Sequence, residues 1–571
     1  MTMGTATEEF RRARNHLLAS YGDLPRARAF PRPRIGETFN WVADWFDAIA
    51  EGNDATALRV VDLDKEGALL ADTALSFAEL AERSRRVAGW LRSAGVRRGD
   101  RIMLMLPNRV ELWESVLAAF RLGCTVIPTA VQLTPADLAD RLERGEVKHV
   151  VAESGLTPKL AELPGDWTRI AVGAPVAGWQ DYGQAYAAEP LLEVERTGPE
   201  DLSLIYFTSG TTSLPKMVGH TSVSYPVGHL STMYWLGLRP GDVHLNISSP
   251  GWGKWAWSNL FSPWNAEATV MIVNQPRFTA RPLLEMMSRC AVTSFCAPPT
   301  VWRSLIREDL TRLPMALREA VAAGEPLNSE VVRRIREAWG VTVRDGYGQT
   351  ETTASIGNPP GQPDNADGTL GWALPGYEVT LLDPRTGTPV EGSPAEGEVC
   401  LRLADQPLGL MTAYLGNAEA TARSMRDGYY HTGDIASRDV EGRYTYVGRG
   451  DDVFKASDYR ISPFELESVL MQHPAVLDAA VVPSPEPLRL AVPKAYVALA
   501  AGYLPEAETA QLLLAHAREH LAPYKRIRRI EFTELPKTTV SNKTQRAELR
   551  RREQERSSRS AQEWWEEDFQ S

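Results

Sequence analysis

Apolar and polar positions along the 571-residue chain follow two periods. Phe39, Val42, Trp45, Phe46 and Ile49 recur three or four residues apart, which predicts a helix with one buried face. From Ser76 the text runs helix, glycine stop, then a strand over Arg101–Leu106, and WESVLAAFRLGCTVIPTA repeats helix then strand. Val147–Ser154 and Thr168–Gly173 read as further short strands. Such alternation predicts a parallel sheet covered on both faces. Residues 1–38 are polar, carry a Pro/Arg-rich stretch from Pro25 to Pro33, and read as an extended arm. Beyond Arg550 an Arg/Glu run reads as a solvated helix. There Trp564, Trp565 and Phe569 anchor the tail either to its own body or to a second subunit, which leaves a homodimer open.

One stretch changes this picture from architecture to chemistry. Leu202, Leu204, Ile205 and Phe207 mark a buried strand, and YFTSGTTSLPK follows over Tyr206–Lys216. Thr208, Ser209, Gly210, Thr211, Thr212 and Ser213 supply hydroxyls and one permissive backbone, and Lys216 supplies a compensating charge, a combination suited to polyphosphate. The spacing GxxxxGK[ST] is absent, so this is not a Walker A loop.

Composition narrows the field. With 43% hydrophobic and 24% charged residues the chain can build several cores, since a single core stops growing near about 250–300 residues. A net charge of −11 argues against general nucleic-acid or anionic-membrane binding. Cys124, Cys290, Cys296 and Cys400 show neither CxxC nor zinc spacing and read as buried, reduced thiols of a cytoplasmic protein. The N-terminus lacks an apolar signal region, and no run of about 18 apolar residues predicts a membrane span.

Three further landmarks follow. A strand over Val243–Ser248 ends at Gly251-Trp252-Gly253-Lys254-Trp255, with Trp257 close behind; a hydrophobic slot with one lysine suits an organic acid, although Lys254 can equally snorkel to the surface. After a strand over Val341–Val343 come Asp345, Gly346, Tyr347, Gly348, Gln349, Thr350 and Glu351: an aromatic face for a purine, and carboxylates able to hold Mg²⁺ bridged by phosphates. Asp434 follows a Thr-Gly turn, and a strand over Tyr444–Val447 ends in Gly448-Arg449-Gly450-Asp451-Asp452, suited to ribose hydroxyls.

YFTSGTTSLPK, GYGQTET, YHTGD, GRGDD, KASDYRISPFELE and PKTTVSNKTQR, in this order over Phe39–Arg550, resemble the core motifs of the adenylate-forming superfamily of acyl-CoA synthetases, luciferases and peptide-synthetase adenylation domains. FNWVADWFD, GWGKWAWSNLFSPW, FCAPPTVWRSLI and PYKRIRRIEF are most similar to medium-chain acyl-CoA synthetases and their bacterial and archaeal relatives. The resemblance implies an α/β fold: a large N-terminal domain of parallel-sheet αβ subdomains plus a β-barrel-like part, over residues 39–448, and a small mobile α+β domain over 449–550 with strands at Asp478–Val482 and Lys494–Leu499. It implies a magnesium-dependent ligase of the fatty-acid-metabolism type, using ATP, Mg²⁺ and CoA. The carboxylate attacks the α-phosphate, pyrophosphate leaves, and CoA then displaces AMP. By motif position, Thr208–Lys216 would cradle the β/γ-phosphates, Gly324, Glu325, Pro326 and Asp345–Tyr347 would border the adenine, and Thr350 would touch the α-phosphate or acyl carboxylate. Glu351, aided by Thr208 through the phosphates, would hold Mg²⁺; Asp434 and Arg449 would take the ribose; Lys543 would bridge carboxylate and α-phosphate; Asp451 would be the hinge. Gln132, Ser457, Asp458, Tyr459, Arg460, Arg489, Arg518 and Arg526 would lie near CoA, and Trp252, Lys254, Trp255 and Trp257 would line an acyl pocket for a short branched, medium or aromatic acid.

Asp458 and Asn542 stand where the family usually has glycine, and both tolerate φ > 0. Asp458 would place a carboxylate beside the pantetheine path. The reading therefore keeps two alternatives, a ligase that passes its adenylate to an amine or carrier-protein thiol and a non-catalytic ATP sensor; Lys216, Glu351, Asp434, Arg449 and Lys543, all present, count against the second.

Overall fold

Several helix starts in this chain are written by side-chain caps. Ser76 and Glu79 form a reciprocal capping box that opens Phe77–Ser93, and Thr134 with Asp137 opens Pro135–Arg144, where Pro135 supplies a preset φ. The computed structural model describes residues 5–208, 214–324, 327, 329–362, 368–456, 459–486, 490–537, 544–556 and 558–569. By chain contacts these fall into two units, one built from Met1–Leu327, Val331–Val379 and Leu401–Tyr430, the other mainly from Thr380–Cys400 and His431–Ser571.

The first unit holds two large sheets. In one, Leu202–Thr208, Thr125–Pro128, Arg101–Met105, His149–Glu153 and Thr168–Val172 run parallel, and Lys216–Thr221 returns antiparallel beside Leu202–Thr208, with Ala413–Leu415 on its far side. In the other, Val343–Gln349, Glu319–Ala323, Ser294–Ala297, Val243–Asn246, Thr269–Asn274 and Thr56–Leu63 run parallel in that spatial order. The helix Ser224–Leu236 is apolar on all faces and correspondingly buried, stopping at Gly237 with φ of 76°.

The N-terminal segment is not the extended arm its polarity suggests. Ala6–Leu18 is a helix capped by Thr5 and Glu8, and Phe10, Ala13 and Leu17 lie three to four residues apart on a fully buried face. Phe10 packs on Trp45 with ring centroids 4.9 Å apart. The apolar stripe is narrow and is outnumbered by the Arg and Glu positions around it, so the segment reads as polar along the chain. The helix expected from Phe39 is present as a π turn over Val42–Phe46 continued by Asp47–Ala50.

The second unit contains a hairpin of Tyr429–Arg438 and Tyr444–Arg449, in which Asp434 faces Arg449, and a four-stranded sheet ordered Val476–Glu486, Leu490–Leu499, Arg529–Phe532, Glu563–Trp565. The tail anchors to its own body. Its last strand pairs with Arg529–Glu531, and Trp564 lies 5.1 Å from the Phe532 ring. Lys494, fully buried, ties the sheet to helix and tail through Glu531, Glu553 and Glu563 at 2.8 to 2.9 Å. All four cysteines are buried and none forms a disulfide. Among the described residues no helix is long and apolar enough to cross a membrane.

Candidate active site

The motif expected to follow a strand is itself the strand. Val343–Gln349 carries Asp345, Gly346, Tyr347 and Gly348 and pairs antiparallel with Thr353–Gly357. Its glycines are dictated by close packing: a Cβ on Gly346 would lie 2.4 Å from the Trp235 ring, and one on Gly348 would lie 1.9 Å from the Thr353 carbonyl oxygen and 2.7 Å from the Trp257 ring. The turn between the two strands presents Thr350 and Glu351. It is closed by Thr353 at φ of 61°, a left-handed conformation that costs a β-branched residue and marks a constrained site.

Surrounding side chains hold that turn. The Thr350 carbonyl accepts from His220 Nε2–H at 2.7 Å and from the Tyr225 hydroxyl at 3.1 Å. The Glu351 carbonyl accepts from Met411 N–H at 2.7 Å, and the Thr352 carbonyl accepts from Tyr377. Tyr430 donates to Gln349 Oε1 at 2.7 Å, and Trp257 Nε1–H donates to Tyr225 at 3.1 Å. His220 stacks on Tyr225 with centroids 3.7 Å apart, and complete burial lowers its pKa to about 3, so the imidazole stays neutral. Tyr414 joins two predicted residues: its hydroxyl donates to Glu351 Oε1 at 2.9 Å, and Lys216 Nζ sits 4.4 Å from its ring centroid. Sequence reasoning missed His220, Tyr225, Tyr377 and Tyr414, which lie far along the chain from the turn. A hint was available only for Tyr225, which opens the aromatic-rich stretch after Lys216.

Asp345 is 7% exposed, accepts from Gly346 N–H at 2.9 Å and Leu327 N–H at 3.3 Å, and is raised to a pKa of about 7 by burial. Gly253 approaches Thr350 so closely that a Cβ there would lie 2.9 Å from Thr350 Oγ1, and Trp252 covers Gly324, where a Cβ would meet its ring at 3.1 Å. Lys254 is 5% exposed, which rules out the surface reading. Its Nζ donates to the Ala323 carbonyl at 3.3 Å and lies 5.6 Å from the Trp252 ring centroid. Trp255, in contrast, packs on Trp113 at 5.5 Å and donates to Asn108 Oδ1 at 2.9 Å, contacts that make it a core residue.

In the second unit Asp434 Oδ1 accepts from Tyr446 at 3.2 Å and lies 3.5 Å from Arg449 Nη1; Arg449 Nε is 3.6 Å from Asp451. Thr432-Gly433-Asp434, expected as a turn, lies within the strand Tyr429–Arg438; Glu398 brackets it, accepting from Gly433 N–H at 3.0 Å and sitting 2.9 Å from His431 Nδ1, with Cys400 Sγ 3.6 Å from the same nitrogen. Arg546 and Arg550 grip Asp452 at 2.7 Å each. Of the residues assigned to CoA, Gln132 is exposed, Arg518 is engaged by Glu566 at 2.7 Å, and Tyr459 and Arg460 open the strand Tyr459–Ile461. Ser209, Gly210, Thr211, Thr212, Glu325, Pro326, Ser457, Asp458, Arg489 and Lys543 lie outside the described residues.

A strand-edge turn bearing a hydroxyl and a carboxylate thus lies close to Lys216, through Tyr414, and against the Trp252–Trp257 segment. The AMP-binding enzyme family pattern matches residues 46–415 and that of the AMP-binding enzyme C-terminal domain matches residues 465–542, and the chain belongs to this family. It is 40% identical over 526 residues to 4-hydroxybutyrate--CoA ligase 1 of Metallosphaera sedula, covering 91% of each chain, and 39% identical over 497 residues to the mitochondrial acyl-coenzyme A synthetase ACSM5 of Homo sapiens, covering 85% of each. The anthranilate CoA ligase AuaEII, solved with anthranoyl-AMP, superposes with a TM-score of 0.80 at 27% identity, covering 91% of this chain and 98% of that one. The protein is an enzyme of the AMP-forming acid–thiol ligase class: it activates a carboxylic acid with ATP as an acyl-adenylate, then forms the CoA thioester.

Proposed function

We propose that the substrate is a short to medium carboxylic acid, held between Trp252, Lys254 and Trp257, and that the adenylate forms at Thr350. The observation that carries this is the approach of Gly253 to the Thr350 side chain, which joins the aromatic slot to the residue placed at the α-phosphate. Indole rings pack directly on Gly324 and Gly348, and each added methylene must find room between them, which disfavours long chains. The Metallosphaera relative named for a four-carbon acid supports the same size class.

In the first half-reaction the acid's carboxylate oxygen bonds to the α-phosphorus as the bond to the β-bridging oxygen breaks, releasing pyrophosphate. In the second, the CoA thiolate bonds to the acyl carbon and AMP leaves. Neither half needs a covalent enzyme intermediate, so the residues act by orientation and charge neutralisation. Thr208 and Lys216, with Ser209–Thr212, hold the β/γ-phosphates; Lys543 bridges carboxylate and α-phosphate; Gly324–Pro326 and Asp345–Tyr347 border the adenine, and Asp434 and Arg449 take the ribose. Glu351 is a hard oxygen donor of the kind Mg²⁺ prefers, and the ion would supply charge neutralisation at the phosphates. Tyr414 and the His220–Tyr225 pair set the turn that carries Thr350 and Glu351. Asp451, beside the arginine-gripped Asp452, is the hinge, and the CoA path runs by Ser457–Arg460 and Arg526. The buried cysteines, none of them in a disulfide, support a cytoplasmic site of action.

The test is acid-dependent pyrophosphate release with a panel of carboxylic acids, followed by thioester detection with CoA. We expect release with short acids and CoA-dependent thioester formation. Release without transfer to CoA moves the acceptor to an amine or carrier thiol, and no release with any acid removes the proposal.

A further inference from the structure

The floor of the acyl slot carries unused hydrogen-bonding capacity. Strand Val243–Asn246 ends there, and His244 and Asn246, two residues apart, project to one face. His244 Nε2 meets Ser258 Oγ at 2.8 Å, on the helical segment that begins with Gly253 and Lys254. Two residues along a strand cover about 6.6 Å, and four along a helix about 6 Å, so stepping forward from His244 and back from Ser258 brings Asn246 level with the backbone at Lys254. Lys254 in turn donates to the Ala323 carbonyl, which ends the strand two positions across the sheet.

Asn246 is 3% exposed, and neither its Nδ2 nor its Oδ1 has a hydrogen-bond partner among the described residues. Ser248 Oγ, two residues on, is buried in the same condition. Desolvating a carboxamide without a partner is costly, and such groups in a folded protein call for an explanation. Here they stand at the carboxyl end of a parallel strand, where ligands of open α/β sheets bind. An amide offers one donor group and one acceptor, the complement of a hydroxyl, which is also both.

We propose that Asn246, at the carboxyl end of strand Val243–Asn246, forms a polar recognition site for a hydroxyl carried at the far end of the acyl chain, making the enzyme selective for short hydroxy acids over apolar acids of the same size. This rests on the reading of the Gly251–Trp257 segment as the acyl pocket. An apolar pocket discriminates weakly against an isostere, whereas a site with buried polar groups rejects the analogue that leaves them unpaired.

The experiment compares 4-hydroxybutanoate with pentanoate, which exchanges the hydroxyl for a methyl, and with succinate, by acid-dependent pyrophosphate release from the full-length enzyme. We expect kcat/KM for the hydroxy acid to exceed that for pentanoate at least about tenfold, and Asn246→Leu to shrink that ratio at least about tenfold. Asn246→Ser, smaller and still hydrogen-bonding, should retain part of the preference, and the wild-type ratio decides the matter if Asn246→Leu does not fold. Equal or better turnover of pentanoate, a preference for succinate, or an unchanged ratio in a folded Asn246→Leu enzyme overturns the inference. Acids turned over without regard to the distal group would sink only this inference; no pyrophosphate release with any acid would instead sink the reading of the pocket.

Discussion

The two ends of the proposed adenylation site are built on opposite plans. At the nucleotide end the carbonyls of Thr350, Glu351 and Thr352 and the Glu351 carboxylate each have a protein donor within hydrogen-bond reach. At the acyl end the side-chain polar atoms of Asn246 and Ser248 are buried without a hydrogen-bond partner among the described residues. A phosphate that is the same in every turnover can be met by a preset cradle, and preorganised donors and charges act without reorganisation at the moment of reaction. A variable acid is better met by groups whose bonds the correct substrate completes, because the wrong one then leaves them unpaired.

Changes at the nucleotide end should therefore strike every acid alike, whereas changes at the acyl end should reorder acids. The largest effect is expected from Lys543→Ala. It should lower pyrophosphate release by about a hundredfold or more for all acids while transfer from a pre-formed acyl-adenylate to CoA continues. Equal loss of both half-reactions in a folded variant would remove Lys543 from the adenylation step alone. Tyr414→Phe keeps the ring under Lys216 and deletes the hydroxyl that holds Glu351. Pyrophosphate release should fall about tenfold with the ranking of acids unchanged, and nucleotide binding followed by calorimetry should need more Mg²⁺. Full activity and an unshifted Mg²⁺ requirement would make Tyr414 a packing residue.

Lys254→Met sharpens the other half of the comparison. It preserves length and removes a buried charge, so preference should move towards wholly apolar acids by several-fold while the KM for ATP stays within about twofold. An unchanged acid profile would detach Lys254 from the pocket. The smallest effect concerns Asp345, raised by burial to about 7. Between its unfolded value near about 4 and that value, the native state binds one proton more than the unfolded chain, so this residue makes stability fall as pH rises through the window. Asp345→Asn should flatten that decline in melting temperatures recorded from pH 5 to 8, and a slope identical to wild type would show that the group does not titrate there.

How much of this was legible beforehand follows from the range of the forces involved. The Thr208–Lys216 loop, the Asp345–Glu351 motif and the Thr432–Asp434 stretch are each contiguous because turns, strand ends and glycine requirements act over a few residues, and each could be found by reading along the chain. The N-terminal helix was hidden by its charged majority, although Phe10, Ala13 and Leu17 keep the helical period. The sequence by itself determined the family, the α/β architecture and the candidate residues that would meet ATP. Only the tertiary structure decided that Lys254 is buried, that Trp255 is core, that the tail closes on its own unit, and that His220 and Tyr414 brace a turn 130 and 63 residues away. Those outcomes depend on which side chains pack together across the sheets, and packing couples residues by distance in space, with no trace in their spacing along the chain.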